Sequence, residues 1–220
     1  GFPRTLMLPH SPALTVAGAA LLWVGWFGFN AGSALAANDD GAATAIIVTH
    51  LAASVAALVW MLLEKIKVGK ATAVGFATGA VAGLATITPA SGSVGPLGAI
   101  ILGVLAGVVC FYAVHLVKGK LQIDDSLDVF AVHGVGGIMG SILLAILVAP
   151  TFGGNGYAEG MAMGSQLWAQ IKGVGIVGVY SAVVTLIIGY MVAMVIPMRV
   201  SEGQERDGLD ISNHGERAWD

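Results

Sequence analysis

Charge is scarce in this chain. Asp, Glu, Lys and Arg make up 10% of it and hydrophobic residues 56%, whereas soluble domains carry about 25% charged residues. That imbalance excludes an ordinary water-soluble domain. Lys and Arg number only ten and the net charge is −3, so no basic patch points to nucleic acid. Cysteine is down to Cys110 alone. No internal disulfide can form, and the apolar run around it marks a small buried side chain. A His-Glu-x-x-His run, a Ser-His-Asp set, a P-loop and Cys/His metal spacing are all missing. No enzyme, metal or cofactor is expected. The chain opens at Gly1, not Met, without a segment of signal-peptide type, and reads as a fragment or a processed product.

What is present is apolar length. A bilayer span needs roughly 20 apolar residues, and six candidates occur at about 12–37, 42–63, 71–90, 95–117, 127–149 and 166–198. The expected class is all-α, a polytopic bundle of six spanning helices. The thirty-two glycines suit it, because small residues let helix backbones approach closely in lipid. No tandem repeat is evident. The last segment exceeds what a bilayer requires and should tilt or protrude. Residues 1–200 are expected to form the transmembrane domain and 201–220 a polar, solvated tail.

Lys and Arg alternate between the loops. Arg4 precedes the first span; Lys65, Lys67 and Lys70 follow the second; Lys118 and Lys120 follow the fourth; Arg199, Arg206 and Arg217 follow the sixth. The other three loops have neither, so both ends are expected in the cytoplasm by the positive-inside rule. Lys172 is the exception, placed to snorkel to the interface.

A few polar and aromatic groups sit inside the spans. His133 lies in Asp128-Val129-Phe130-Ala131-Val132-His133-Gly134. An ionisable ring in lipid is costly and by default faces a cavity and serves a function; the plainer alternative is a buried ring bonded to a backbone carbonyl. Gly134, Gly136, Gly137 and Gly140 would let another helix press close beside it. Ser126 or Asp128 should cap this helix, with Asp128 structural and Asp39, Asp40, Asp124 and Asp125 as loop charges. That start puts His133 ~8–9 Å deep; on the first span, Phe29 comes ~24 Å and Ser33 ~30 Å above the same side. Trp26, Phe27 and Phe29 either line a pore or simply pack. Trp23, Trp60 and Tyr112 fit packing or an interfacial belt. His50 reads as a packed or interhelically bonded ring, and His10 and His115 as interfacial.

The runs Gly25-Trp26-Phe27-Gly28-Phe29-Asn30-Ala31-Gly32-Ser33, Thr88-Pro89-Ala90-Ser91-Gly92, Asp124-Asp125 with Asp128 to Gly134, and Gln204-Glu205-Arg206-Asp207-Gly208-Leu209-Asp210 with His214-Gly215-Glu216 occur in an order that resembles the ammonium transporter (Amt/Mep/Rh) family. The bacterial and archaeal Amt branch fits better than the Rh branch. The resemblance implies an eleven-helix fold of two inverted five-helix repeats plus a last helix, assembled as a plasma-membrane homotrimer with one pore per subunit. This chain would be the second repeat, the last helix and the cytoplasmic tail. It implies that Ser33 is the outer hydroxyl recruiting ammonium, Phe29 one of two stacked gate rings with Trp26 beside it, and His133 the second of a histidine pair past which ammonia moves after deprotonation. The first histidine, its nearby aspartate, the other gate ring and the recruiting tryptophan would belong to a first-repeat half that this chain does not contain. A PII-type regulator is implied at the cytoplasmic face. The rival readings are a membrane-bound ammonium sensor, an Rh-type gas channel and, least of all, an intramembrane enzyme using His133.

Overall fold

The computed structural model describes residues 9–37 and 40–217. Arg4, Asn38, Asp39 and the last three residues of the tail lie outside the described residues.

Among the described residues there is no strand. Six helices are long and apolar enough to cross a membrane: α1 (Pro12–Gly32), α2 (Asp40–Val68), α3 (Ala73–Ile87, carried by a 3₁₀ turn to Ala90), α4 (Pro96–Val114, carried by a π turn to Lys120), α5 (Val135–Leu147, preceded by a π turn from Val129) and α6 (Met163–Ala193). Their ends depart from the hydropathy limits for local reasons. α2 continues to Val68 because Lys65 and Lys67 in its last turn face the negative end of the helix dipole. It stops at Gly69, whose φ of +90° is a glycine conformation. α1 ends early because Leu35 turns left-handed at φ +59°. α6 starts at Met163 and ends at Ala193, before Pro197.

The residues described fall into two compact units, Pro9–Val174 and the segment from Gly175 on. In the first, Ala45, Val48, Ala52, Ala56 and Trp60 recur every three or four positions along α2 and are buried, the pattern of one helix face turned inward. α3 is the most enclosed span. Two apolar clusters fill the core: one joins Val48, Ile87, Leu102 and Leu147, the other Trp60, Cys110, Phe111 and Val132. Cys110 is buried as expected, its sulfur 3.6 Å from the Val132 carbonyl.

The small residues set how closely α3 is approached. A Cβ on Gly83 would lie 2.7 Å from the Ala53 Cα of α2, and one on Gly140 of α5 would run into the Thr86 carbonyl oxygen. The helix beside Gly136 and Gly140 is therefore α3, while Gly137 meets nothing within 4 Å. Gly140→Ala is expected to destabilise the fold by about 1–3 kcal/mol, the cost of overpacking against an unyielding neighbour, here backbone. A thermal-shift scan of the detergent-purified protein checks it; an unchanged melting temperature would refute the contact.

In the second unit, Ser201 opens a short helix, α7 (Glu202–Asp207), with a capping box: its hydroxyl accepts from the Gln204 N–H at 3.3 Å while Gln204 Oε1 accepts from the Ser201 N–H at 3.1 Å. Arg199 pairs with Glu205 at 3.5 Å, and a π turn covers Asp210–His214. The tail is polar, as composition suggested, and carries its own local structure.

Candidate functional site: an imidazole on an aromatic trough

Residues three and four apart share a helix face, so Trp26, Phe29 and Ser33 lie along one side of α1. Two polar bonds hold that helix in place. Asn30, the only buried residue of α1, donates to the Thr49 hydroxyl of α2 at 2.9 Å. Trp26 donates its indole N–H to the Thr88 hydroxyl at 2.7 Å, and that hydroxyl donates to the Leu84 carbonyl at 2.7 Å. Thr88 stands where α3 gives way to a 3₁₀ turn over Thr88–Ala90, just before Pro89.

The pinned indole meets His133, with ring centroids 5.8 Å apart and planes at 40°. Phe29 stands edge-on to the indole at 6.3 Å and 74°, and the residue is 63% exposed. These three rings line one open concavity of about 620 Å³, whose other walls are Leu21, Leu22, Thr88 and the bare backbone of Gly18 and Gly25. A second concavity, of about 370 Å³, continues from the same imidazole and from Gly18 and Leu22 to Leu127 and Asp128. His133 thus stands at the junction of two apolar hollows along one face of α1. The ring is exposed, not bonded into the core. Ser33 sits one turn beyond Phe29, outside both hollows, and donates its hydroxyl proton to the Phe29 carbonyl at 2.8 Å. Its oxygen lone pairs remain to accept from a cation.

The start of the His133 helix is built differently from the sequence expectation. Asp128 takes the cap position, one of the two expected, but neither it nor Ser126 bonds the free amides through its side chain. Asp125, read as a loop charge, accepts from the Val129 N–H at 2.8 Å and the Ala131 N–H at 3.0 Å, while Ser126 donates to Asp124 at 2.9 Å. Asp128 occupies the cap position in a left-handed conformation, φ +56°, without a side-chain cap bond. It pairs instead with Lys118 of the preceding span, Nζ to Oδ1 at 2.6 Å. Burial pushes the Asp128 carboxyl above the usual carboxylate range, although Lys118 pulls it down. Its ionisation therefore costs the fold stability as pH rises through that range, and the pair fixes geometry more than it stabilises. The turn it anchors, Val129–Gly134, is a π turn, a geometry frequent at functional positions.

The remaining rings lie elsewhere. His50 lies tilted against Trp23 at 5.4 Å and Phe27 at 6.0 Å, a separate aromatic pair from the one at His133. His115 bonds the Phe111 carbonyl through Nδ1 at 2.8 Å. Lys172 lies 5.7 Å over the Trp168 ring. Asn30, Thr49, Thr88 and Asp125 are the positioning residues that sequence reasoning missed. Of these, only Thr88 carried a signal, as the residue before a helix-breaking proline.

The family model described as the Ammonium Transporter Family matches residues 3–219. The ammonium transporter Amt1 of Archaeoglobus fulgidus is 48% identical over all of this chain and 55% of its own length. Among solved structures, a Sensor Amt Protein superposes with a TM-score of 0.84 at 30% identity, over 93% of this chain and 49% of that one. Saccharomyces cerevisiae Mep2 superposes at 0.75 and 37% identity, over 86% of this chain and 46% of that one. The chain spans about half the length of the curated relatives it matches. With six spanning helices and a match over nearly its whole length, this chain is a multi-pass membrane protein that belongs to the Ammonium Transporter Family.

Proposed function

We propose that this chain forms half of a narrow pore that moves ammonium nitrogen across the plasma membrane. The observation that carries the reading is the meeting of His133, Trp26 and Phe29 on one otherwise apolar concavity. Aromatic faces and a hydroxyl acceptor favour a cation, which suits Ser33 and Phe29 to recruiting ammonium at the outer mouth. An apolar lumen strongly disfavours a bare ion. Ammonium then gives up its proton, the nitrogen crosses as ammonia, and an imidazole relays the proton, since a neutral ring both donates and accepts. In this reading a first-repeat half supplies the second imidazole and the opposite wall, three copies assemble, and a PII-type regulator docks at the cytoplasmic side. Residues 1–200 are the membrane domain and 201–220 its tail.

The transport reading is tested in proteoliposomes containing the complete protein. Ammonium addition is expected to produce methylammonium-competed uptake or current. A Sensor Amt Protein among the similar structures favours one second reading, ammonium sensing on the same fold. Tight ammonium binding without flux would select it.

Topology gives a further check. By the alternation of Lys and Arg, single cysteines at Ser93 and Asn155 are expected to react with an impermeant thiol reagent from outside, and those at Lys67 and Gly119 only from inside. Opposite labelling would invert the orientation.

A further inference from the structure

α1 carries two stripes of side chains that run side by side. Leu22, Trp26 and Phe29 line the larger hollow at His133. Each is followed directly by a residue that meets α2: Trp23 and Phe27 meet the His50 ring, and Asn30 meets the Thr49 hydroxyl. At 3.6 residues per turn, consecutive residues point about 100° apart. The stripes are therefore about a quarter turn apart on one cylinder, and whatever fixes the second decides where the first points.

His50 is the least expected member of the second stripe. It lies ~15 Å along α2 from Asp40, near the middle of a hydrocarbon core about 30 Å thick. An ionisable ring is costly there and by default has a function. Yet the residue is exposed, and neither ring nitrogen has a hydrogen-bond partner among the described residues. What it touches is two rings, Trp23 at 5.4 Å and 40° and Phe27 at 6.0 Å and 51°. Aromatic pairs hold such offset and tilted geometries in preference to others, so the contact fixes an angle as well as a distance.

The polar ties of α1 to its neighbours lie further along the helix. From Pro12, Trp23 stands ~16 Å up, Trp26 ~21 Å and Asn30 ~27 Å. Before Trp23, the residues Leu14, Thr15, Gly18, Ala19 and Leu22 form one wall of the smaller hollow. The side-chain bonds of that stretch, at Ser11 and Thr15, stay within α1, and a Cβ on Gly18 would meet nothing within 4 Å. The His50 ring is the tie nearest that wall.

We propose that His50 is a positioning residue for the passage. Its ring, set against Trp23 and Phe27, fixes the rotation of α1 and so holds the α1 wall of the smaller hollow in place. It acts as aromatic surface, without giving or taking a proton. The effect on flux rests on the transport reading above; the clamp itself does not.

Two measurements on the complete protein test this. In proteoliposomes, His50→Ala is expected to lower the maximal ammonium current about fivefold, the factor that one aromatic pair contributes. The half-saturating concentration should not move, because Asn30 and Thr49 still hold the turn that carries Phe29 and Ser33. His50→Phe should restore the wild-type current. Trp23→Leu should match His50→Ala, and the double variant should fall no further. Ile47→Ala, an exposed truncation one turn away on α2, should change nothing. Spin labels at Ala13→Cys on α1 and Leu62→Cys on α2, with Cys110 buried, read the clamp without any flux. Their distance distribution is expected to broaden in His50→Ala and to narrow again in His50→Phe. A His50→Phe protein as impaired as His50→Ala would overturn the proposal, because the ring nitrogens would then matter. So would additive losses in the double variant, or an unbroadened distance in His50→Ala. A wild type without current would count against the transport reading alone, and the distances would still decide the clamp.

Discussion

His133→Ala, introduced into a complete protein that contains this half, is expected to cut ammonium-driven current or methylammonium uptake by roughly 10²-fold, the scale for removing a positioned proton-transfer group. Assembly should persist. The ring is exposed to the two hollows and its helix is held from below by Asp125 and from the side by α3, so truncation removes little packing. What disappears is the one titratable side chain where the hollows meet, together with the partner of the Trp26 ring. Uptake in a transporter-deficient cell, compared with the amount of inserted protein, checks this. Wild-type uptake by a properly inserted variant would reduce His133 to a packing residue.

The second large effect concerns the half itself. α1 buries only Asn30, and the hollow lined by Trp26, Phe29 and His133 is open. In a bilayer no water satisfies polar groups presented to hydrocarbon, so the exposed His133 imidazole beside α1 needs a protein neighbour. Residues 1–220 expressed alone are expected to be unstable or inactive, and a matching five-helix half supplied from a second plasmid to restore ammonium uptake. Robust uptake by the 220-residue chain on its own would remove the basis for a two-half pore.

Much of this arrangement was legible in the sequence, and the unreadable part has a common cause. Span number and approximate limits follow from hydropathy, because hydrocarbon admits only long apolar helices. That Trp26, Phe29 and Ser33 share a side of α1 follows from spacing. The capping of the His133 helix did not follow: Asp125 and Asp128 stand three apart with the same chemistry, and only the left-handed turn at Asp128 decides that the earlier one reaches the amides. Nor did the Trp26–Thr88 bond, which joins residues 62 positions apart, or the Asn30–Thr49 bond. Both depend on how neighbouring helices cross. The glycines announced a close approach, but only the packed structure assigns it to Thr86 of α3. The π turns, likewise, are properties of the closed backbone.

The Thr88 hydroxyl has a single proton, and it goes to Leu84; its lone pair receives the indole. No other assignment satisfies all three groups, so reversing the indole would strand a donor and an acceptor together. Trp26 is for that reason a one-state wall. The Phe29 ring, which makes no hydrogen bond and meets the indole only by an edge, carries no such constraint. Of the two rings that line this hollow, the phenyl is the one free to change its position.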